Sequence, residues 1–501
     1  MAFEGSPQES TRQVHGAIAR GAAWLTAMKL TERALGLINT VVLARLLAPQ
    51  DFGLVAMAMV VVTALDALTS FGLDSVLIQR QNATKAHYDT AFTINVIVGA
   101  SVALILIVSS GAVAAFYSDT RLQPIMYVLA MNFFARSLEN IRVIDFRKHF
   151  KYHLEATLRL SVKLVGLAVT IPAAIELHSY WALIIGMATM TVFNVALSYA
   201  MRPYRPTLTL AAARDIMSFS GWLLLNSTVF LMKAQIHNIF IGRLLGPKAL
   251  GTFNMANEIA MMSSSELIAP INRAVYPGYA KLNSELPALR ATFLDVFALI
   301  MILSVPAGLG TIAIAQDLAT LLLGNAWLET IPLIKFIAIC GVLQTLNSNM
   351  MYVVIALGQP QLATRIAFAE AFSIVPLMYL ATRHFGLIGA GASLVACYCF
   401  VSVPMWWRTT TKLLDLRLIE LLGRIARPLV AAIVMYVTVS WLQMTVLHDA
   451  PRPIAIAIAV VSGIVVYAMI LGTLWHISGQ PRGGESIVRD FIGRRFAQAI
   501  E

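Results

Sequence analysis

The chain has 501 residues, 58% of them hydrophobic and only 13% charged, with a mean hydropathy of +0.75. A soluble domain carries about 25% charged residues, so this composition excludes a cytosolic globular protein and points to a lipid environment. The net charge of +11 needs no nucleic-acid partner, because its distribution along the loops accounts for it, as shown below.

Residues 1–20 are polar, carry Arg12 and Arg20, and lack the apolar core of a removable signal peptide, which predicts a cytoplasmic tail. From there, stretches of about 20 mostly apolar residues recur to the end of the chain, and about fourteen of them are long enough to span a bilayer. They fall at 21–44, 51–77, 90–115, 122–141, 157–177, 180–201, 216–241, 250–276, 292–314, 331–356, 363–382, 386–407, 425–446 and 453–476. Breakers separate them at Pro49, Pro203, Pro206, Pro247, Pro287, Pro360, Pro451 and Pro453. Cys340, Cys397 and Cys399 lie in these apolar runs, at spacings that give neither a disulfide framework nor a metal knuckle, and read as packing residues.

A repeat organises the spans. Val42–Gly53 reads VLARLLAPQDFG and Phe240–Gly251 reads FIGRLLGPKALG; Arg45, Leu46, Leu47, Pro49 and Gly53 recur as Arg243, Leu244, Leu245, Pro247 and Gly251 at an offset of 198. Trp24, Met57 and Ala58 recur as Trp222, Met255 and Ala256 at the same offset. Two similar halves in a membrane chain are a common carrier design, with substrate handled between them. The expected fold is therefore an all-α integral membrane protein of about 14 transmembrane helices: two six-helix repeats around a central cavity, plus two C-terminal helices. The expected domains are a tail (1–20), an N-lobe of helices 1–6 (21–214), a C-lobe of helices 7–12 (215–410), a linker with helices 13–14 (411–476) and a second tail (477–501).

With the N-terminus placed in the cytoplasm, cytoplasmic segments hold 24 Lys and Arg residues and the opposite loops 6. This positive-inside bias predicts that both termini are cytoplasmic, and some of the charge can touch anionic lipid. Seven further cations lie deeper inside predicted spans than their first three residues: Lys29, Arg33, Arg136, Lys163, Lys233, Arg273 and Lys335. Such charges are costly in a bilayer and usually face a bundle interior or a water-filled cavity. Lys29, Glu32, Arg33 and Gly36 share one helical face; Lys233 and His237 are four apart, and Glu266 and Arg273 seven apart. Because they lie on the repeated helices, Lys29, Arg33, Lys233 and Arg273 are expected to line a cationic cavity, supported by Glu32, Asp66, His237, Glu258 and Glu266. Arg136, Lys163 and Lys335 read as structural or interfacial, with Arg136–Glu139 and Lys29–Glu32 as plausible pairs. Arg45 and Arg243 mark turns fixed by Pro and Gly, which could also form a gate. No phosphate-cradling Gly-rich loop and no nucleophile–base constellation is visible, so neither an enzyme nor a cofactor or metal is expected.

The repeated RLLxP turn, the segment Phe71–Thr84 (FGLDSVLIQRQNAT), Thr90–Asn95 (TAFTIN), the basic loop Asp145–Lys148 (DFRK), Tyr180–Leu183 (YWAL) and Arg273–Gly278 (RAVYPG) together resemble the Wzx-type oligosaccharide flippases. These belong to the multidrug/oligosaccharidyl-lipid/polysaccharide exporter superfamily, and the resemblance is to its colanic-acid and exopolysaccharide branch, over roughly residues 15 to 410. It implies a carrier in the bacterial inner membrane that turns undecaprenyl-pyrophosphate-linked oligosaccharide from the cytoplasmic to the periplasmic leaflet, with polysaccharide polymerase and chain-length machinery as possible partners. A lipid II flippase and a drug or metabolite cation antiporter of the same superfamily are the alternatives. That branch more often carries an acid near His237; its absence here bears on ion coupling.

Overall fold

A computed structural model describes residues 7–69, 73–80, 82–213, 221–481, 483–486 and 489, with side chains except in 7–23, 68, 74–75, 221–234 and 263–267. Among the described residues the secondary structure is helical, without a strand. The helices are α1 (Pro7–Leu46), α2 (Pro49–Thr69), α3 (Leu73–Gln79), α4 (Lys85–Tyr117), α5 (Leu122–Ser137), α6 (Asp145–Lys148), α7 (Tyr152–Leu177) and α8 (Trp181–Met201). They continue as α9 (Gly221–Lys281), α10 (Leu286–Ala313), α11 (Ala315–Leu322), α12 (Thr330–Ala356), α13 (Pro360–Cys397), α14 (Val403–Leu414), α15 (Leu418–Thr445) and α16 (Arg452–Ile477).

Nine of the described helical stretches are long and apolar enough to cross a membrane. The other expected spans fall as follows among the described residues. The expected spans 363–382 and 386–407 belong to one stretch, Pro360–Leu414, which bends at Gly386 (φ 58°). The helix over 122–141 has only 16 residues. The spans 21–44, 216–241 and 250–276 include side chains outside the described residues. Large apolar side chains such as Val108, Phe372, Phe400 and Ile464 point away from the protein, as lipid-facing residues do. The chain is an all-α, multi-pass membrane protein.

Two compact units divide the chain at Lys248 and Ala249. The lobe boundary expected at 214/215 lies outside the described residues. In the first unit α4 packs on α5, α7 on α8 and on α1, and α5 on α8. Close approaches rest on glycine: a Cβ at Gly99 would meet the Ser137 side chain, and one at Gly166 or Gly186 would meet Met190 or Thr170 across the α7–α8 pair. In the second unit α10 packs on α12 and α15, and α15 on α16, around a core that includes Phe293, Phe297, Met301, Met350 and Val353.

The repeated turns solve one problem in two ways. At the first, Pro49 opens α2 and Asp51 accepts hydrogen bonds from the amides of Ala48 (3.0 Å) and Tyr180 (3.1 Å), capping α2 and tying it to the start of α8. At the second, Gly246 stands where the first has Ala48, adopts φ 82°, and kinks α9. The acid has no counterpart there, since Asp51 aligns with Ala249.

Candidate functional site

The first unit holds an open-sided cavity of about 690 Å³. Eight helices reach it, α3 through Leu73 and α6 through Arg147; Glu32 comes from α1, Asp66 and Thr69 from α2, Asn95 and Gly99 from α4, Phe133 and Arg136 from α5, Glu155, Arg159 and Val162 from α7, and Met190, Thr191 and Asn194 from α8. The segment between α5 and α7 closes it with Glu139, Asn140, Ile144 and Arg147. A volume in this range suits a ligand of moderate size, and polar groups among apolar helices give it direction.

Its charges are matched to different degrees. Glu155, whose side chain is 4% exposed, accepts from Arg147 Nη2 at 2.5 Å and from Arg159 Nε at 3.0 Å, so two guanidinium groups clamp one buried carboxylate. Arg136 meets Asp66 at 3.5 Å with both side chains substantially exposed, a loose and solvated pair. Among the described residues, Glu32, Asn95 and Asn194 are half-buried in this lining and make no hydrogen bond or ion pair.

The basic loop beneath the cavity is a structural knot. Asp145 accepts from Tyr88 Oη at 2.6 Å and from Arg202 at 3.0 Å, while Lys148 donates to the carbonyls of Arg80 (2.6 Å) and Leu77 (3.3 Å). Arg142 lies over the rings of Tyr88 and Tyr204, at 5.1 and 5.7 Å. Tyr204 and Thr207 both donate to Asp89. Burial, with the hydrogen bond to Asp89, pushes the Tyr204 phenol well above its ordinary range, so it stays a donor.

Of the residues singled out in the sequence, Glu32 and Asp66 line the cavity. Lys29 is exposed on α1 and Arg33 half-buried on the same helix. Lys163 belongs with them: its Nζ lies 3.8 Å from where a Cβ on Gly36 would stand, so α7 brings a third cation to that α1 segment. His237 is half-buried. Glu258 is half-buried and Arg273 exposed, both in the second unit. The side chains of Lys233 and Glu266 lie outside the described residues. Arg45 is exposed; Arg243 donates to Ser118 Oγ at 3.2 Å and stacks 5.7 Å from the Phe116 ring.

Two expected pairings are corrected. Arg136 pairs with Asp66 and not with Glu139, because α2 and α5 pack together and offer a partner across the interface. Lys29 and Glu32 form no pair, and Glu32 turns to the cavity. Arg136 is therefore a cavity residue, not merely an interfacial one. Asn95, Asn194 and the Arg147–Glu155–Arg159 clamp were not foreseen. The available signal was an amide inside an otherwise apolar span, which costs free energy unless it serves a purpose.

A family model described as polysaccharide biosynthesis protein matches residues 42–332. The chain is 23% identical over 378 residues to the lipopolysaccharide biosynthesis protein WzxC of Escherichia coli strain K12, covering 74% of this chain and 76% of that one. It is 24% identical over 379 residues to an uncharacterized membrane protein in the cps region of Klebsiella pneumoniae, covering 75% and 78%. Among solved structures it is similar to the lipid II flippase MurJ in an inward closed conformation, with a TM-score of 0.72, 10% identity, and coverage of 90% of this chain and 98% of that one. At that identity the likeness is one of fold.

Proposed function

Since the chain belongs to the polysaccharide biosynthesis protein family, we propose that it flips a lipid-linked oligosaccharide across the bacterial inner membrane for surface polysaccharide synthesis. The observation that carries this reading is the polar, charge-lined cavity among helices whose outer faces are apolar. A glycan joined to a diphosphate cannot cross hydrocarbon unaided, because its hydroxyls and charges would lose their water with nothing in exchange. A polar compartment walled by helices supplies that exchange while the lipid tail stays in the bilayer.

In this reading the carrier is undecaprenyl pyrophosphate and the direction is from the cytoplasmic to the periplasmic leaflet. Lys29, Arg33, Lys233 and Arg273 receive the diphosphate, for which guanidinium and ammonium groups are suited donors. Both termini are cytoplasmic, on the strength of the loop charges. Two six-helix repeats and an appended pair make fourteen spans, and the repeats alternate access to the substrate. Polymerase and chain-length proteins act on what it delivers.

The test is complementation of a flippase-null strain with Lys29→Ala, Arg33→Ala, Lys233→Ala and Arg273→Ala, with membrane abundance measured for each. Surface glycan should fall several-fold at normal abundance while lipid-linked oligosaccharide accumulates. If the wild-type protein restores no glycan and instead confers drug efflux, the antiporter reading replaces this one.

A further inference from the structure

We propose that the cavity of the first unit is the compartment that reads the sugars of the substrate, and that the diphosphate binds outside it. The proposal rests on the flippase reading and assigns the chemistry of one compartment within it.

The charges argue first. Glu32, Asp66, Glu139 and Glu155 face Arg136, Arg147 and Arg159 in the lining, leaving the cavity acidic by one. Two of the three arginines are held on Glu155 at 2.5 and 3.0 Å, and the third already faces Asp66. A diphosphate entering here would meet a net negative wall in which two of the three cations are clamped on a buried carboxylate.

The unspent hydrogen-bonding capacity argues second. Glu32 presents a carboxylate without a partner among the described residues, and Asn95 and Asn194 present amides in the same condition. A carboxylate accepts from two hydroxyls, and an amide both donates and accepts. Sugar hydroxyls both donate and accept, so this set matches a sugar edge, with the half-buried Phe133 ring available to a sugar's C–H face. Their polar atoms are open to the cavity, so a sugar bound there exchanges hydrogen bonds with them in place of water.

Position argues third. Glu32 lies between Lys29 and Arg33 on α1, within one helical turn of both. In the substrate the first sugar is joined directly to the diphosphate. A cation on either side of Glu32 along the helix can hold the phosphates while Glu32 meets the adjoining sugar.

The experiment uses the full-length protein in nanodiscs and two probes. One is the free oligosaccharide released by mild acid from the lipid-linked intermediate that accumulates in the host's deletion strain. The other is farnesyl diphosphate, which carries the phosphates and no sugar. Asn194→Ala and Asn95→Ala should each weaken oligosaccharide binding tenfold or more and leave farnesyl diphosphate binding within twofold. Thr191→Val is the third variant, for the case in which one of these fails to fold. Equal loss on both probes, unchanged oligosaccharide binding in correctly folded variants, or no oligosaccharide binding by a wild-type protein that does bind farnesyl diphosphate would each overturn the assignment. If the deletion strain accumulates no lipid-linked intermediate, the flippase reading itself fails, which is a separate result.

Discussion

Gly53 lies directly against the backbone carbonyl of Pro247, so that the two repeated turns of the chain touch through their own signature residues. A Cβ at Gly53 would overlap the Pro247 oxygen, and backbone cannot swing aside as the end of a long side chain can. The Gly that closes the first turn therefore serves the approach of the second. Gly53→Val should cost on the order of 1–3 kcal/mol through overpacking. Thermal unfolding of the purified protein would register this as a lower midpoint; an unchanged midpoint would show that the turns separate freely.

The second turn depends on glycine for a different reason. Gly246 holds φ 82° with ψ −178°, a conformation essentially confined to glycine, whereas its counterpart Ala48 is not among the residues of positive φ. Gly246→Ala should destabilise by about 1–3 kcal/mol. Ala48→Gly should cost only a few tenths to about 1 kcal/mol, through unfolded-state entropy. Equal effects of the two in a thermal-shift comparison would contradict the asymmetry of the turns.

The two ion-pair sites of the cavity should separate in stability. Glu155 is buried beneath two arginines, and Glu155→Ala leaves them without their shared acceptor, at a cost of about 1–3 kcal/mol. Asp66→Asn removes a loose, solvated contact and should stay within about 1 kcal/mol of wild type. Denaturant or thermal titration of both variants decides between this ordering and its reverse.

Membrane potential should help drive transport. An inside-negative potential favours outward movement of an anion by about 2.3 kcal/mol per charge per 100 mV. A diphosphate with two net negative charges would gain roughly twice that. In proteoliposomes containing lipid-linked oligosaccharide, collapsing an imposed potential with an ionophore should slow flipping or lower its extent. A flipping rate indifferent to the potential would remove this driving force from the mechanism.

Much of the architecture is legible in the sequence. Apolar runs of spanning length, Pro and Gly at their ends, and a repeat at fixed offset depend on local chemistry and on the low dielectric of lipid, which forces the backbone into helices. The same holds for the family, whose motifs are contiguous. Pairing was less legible. Arg136 was expected to pair with Glu139, three residues along its own chain, but its partner Asp66 is 70 residues away and meets it because α2 packs on α5. Lys163 was set apart from Lys29 and Arg33 until the packing of α1 on α7 brought it to Gly36.

That this protein is a bundle of helices in a membrane, where its chain turns, and which family it belongs to are all legible in the primary structure. Each of these follows from hydropathy, breakers and short motifs read along one strand. Which charges neutralise one another, and which polar groups keep their capacity for a ligand, depends instead on how the helices pack. Glu32 and Glu155 are both acids in predicted or observed helices. One is clamped by Arg147 and Arg159, and the other faces a cavity with no described partner. That difference arises from which helices pack together, and side chains at those distances cannot be matched by reading along the chain.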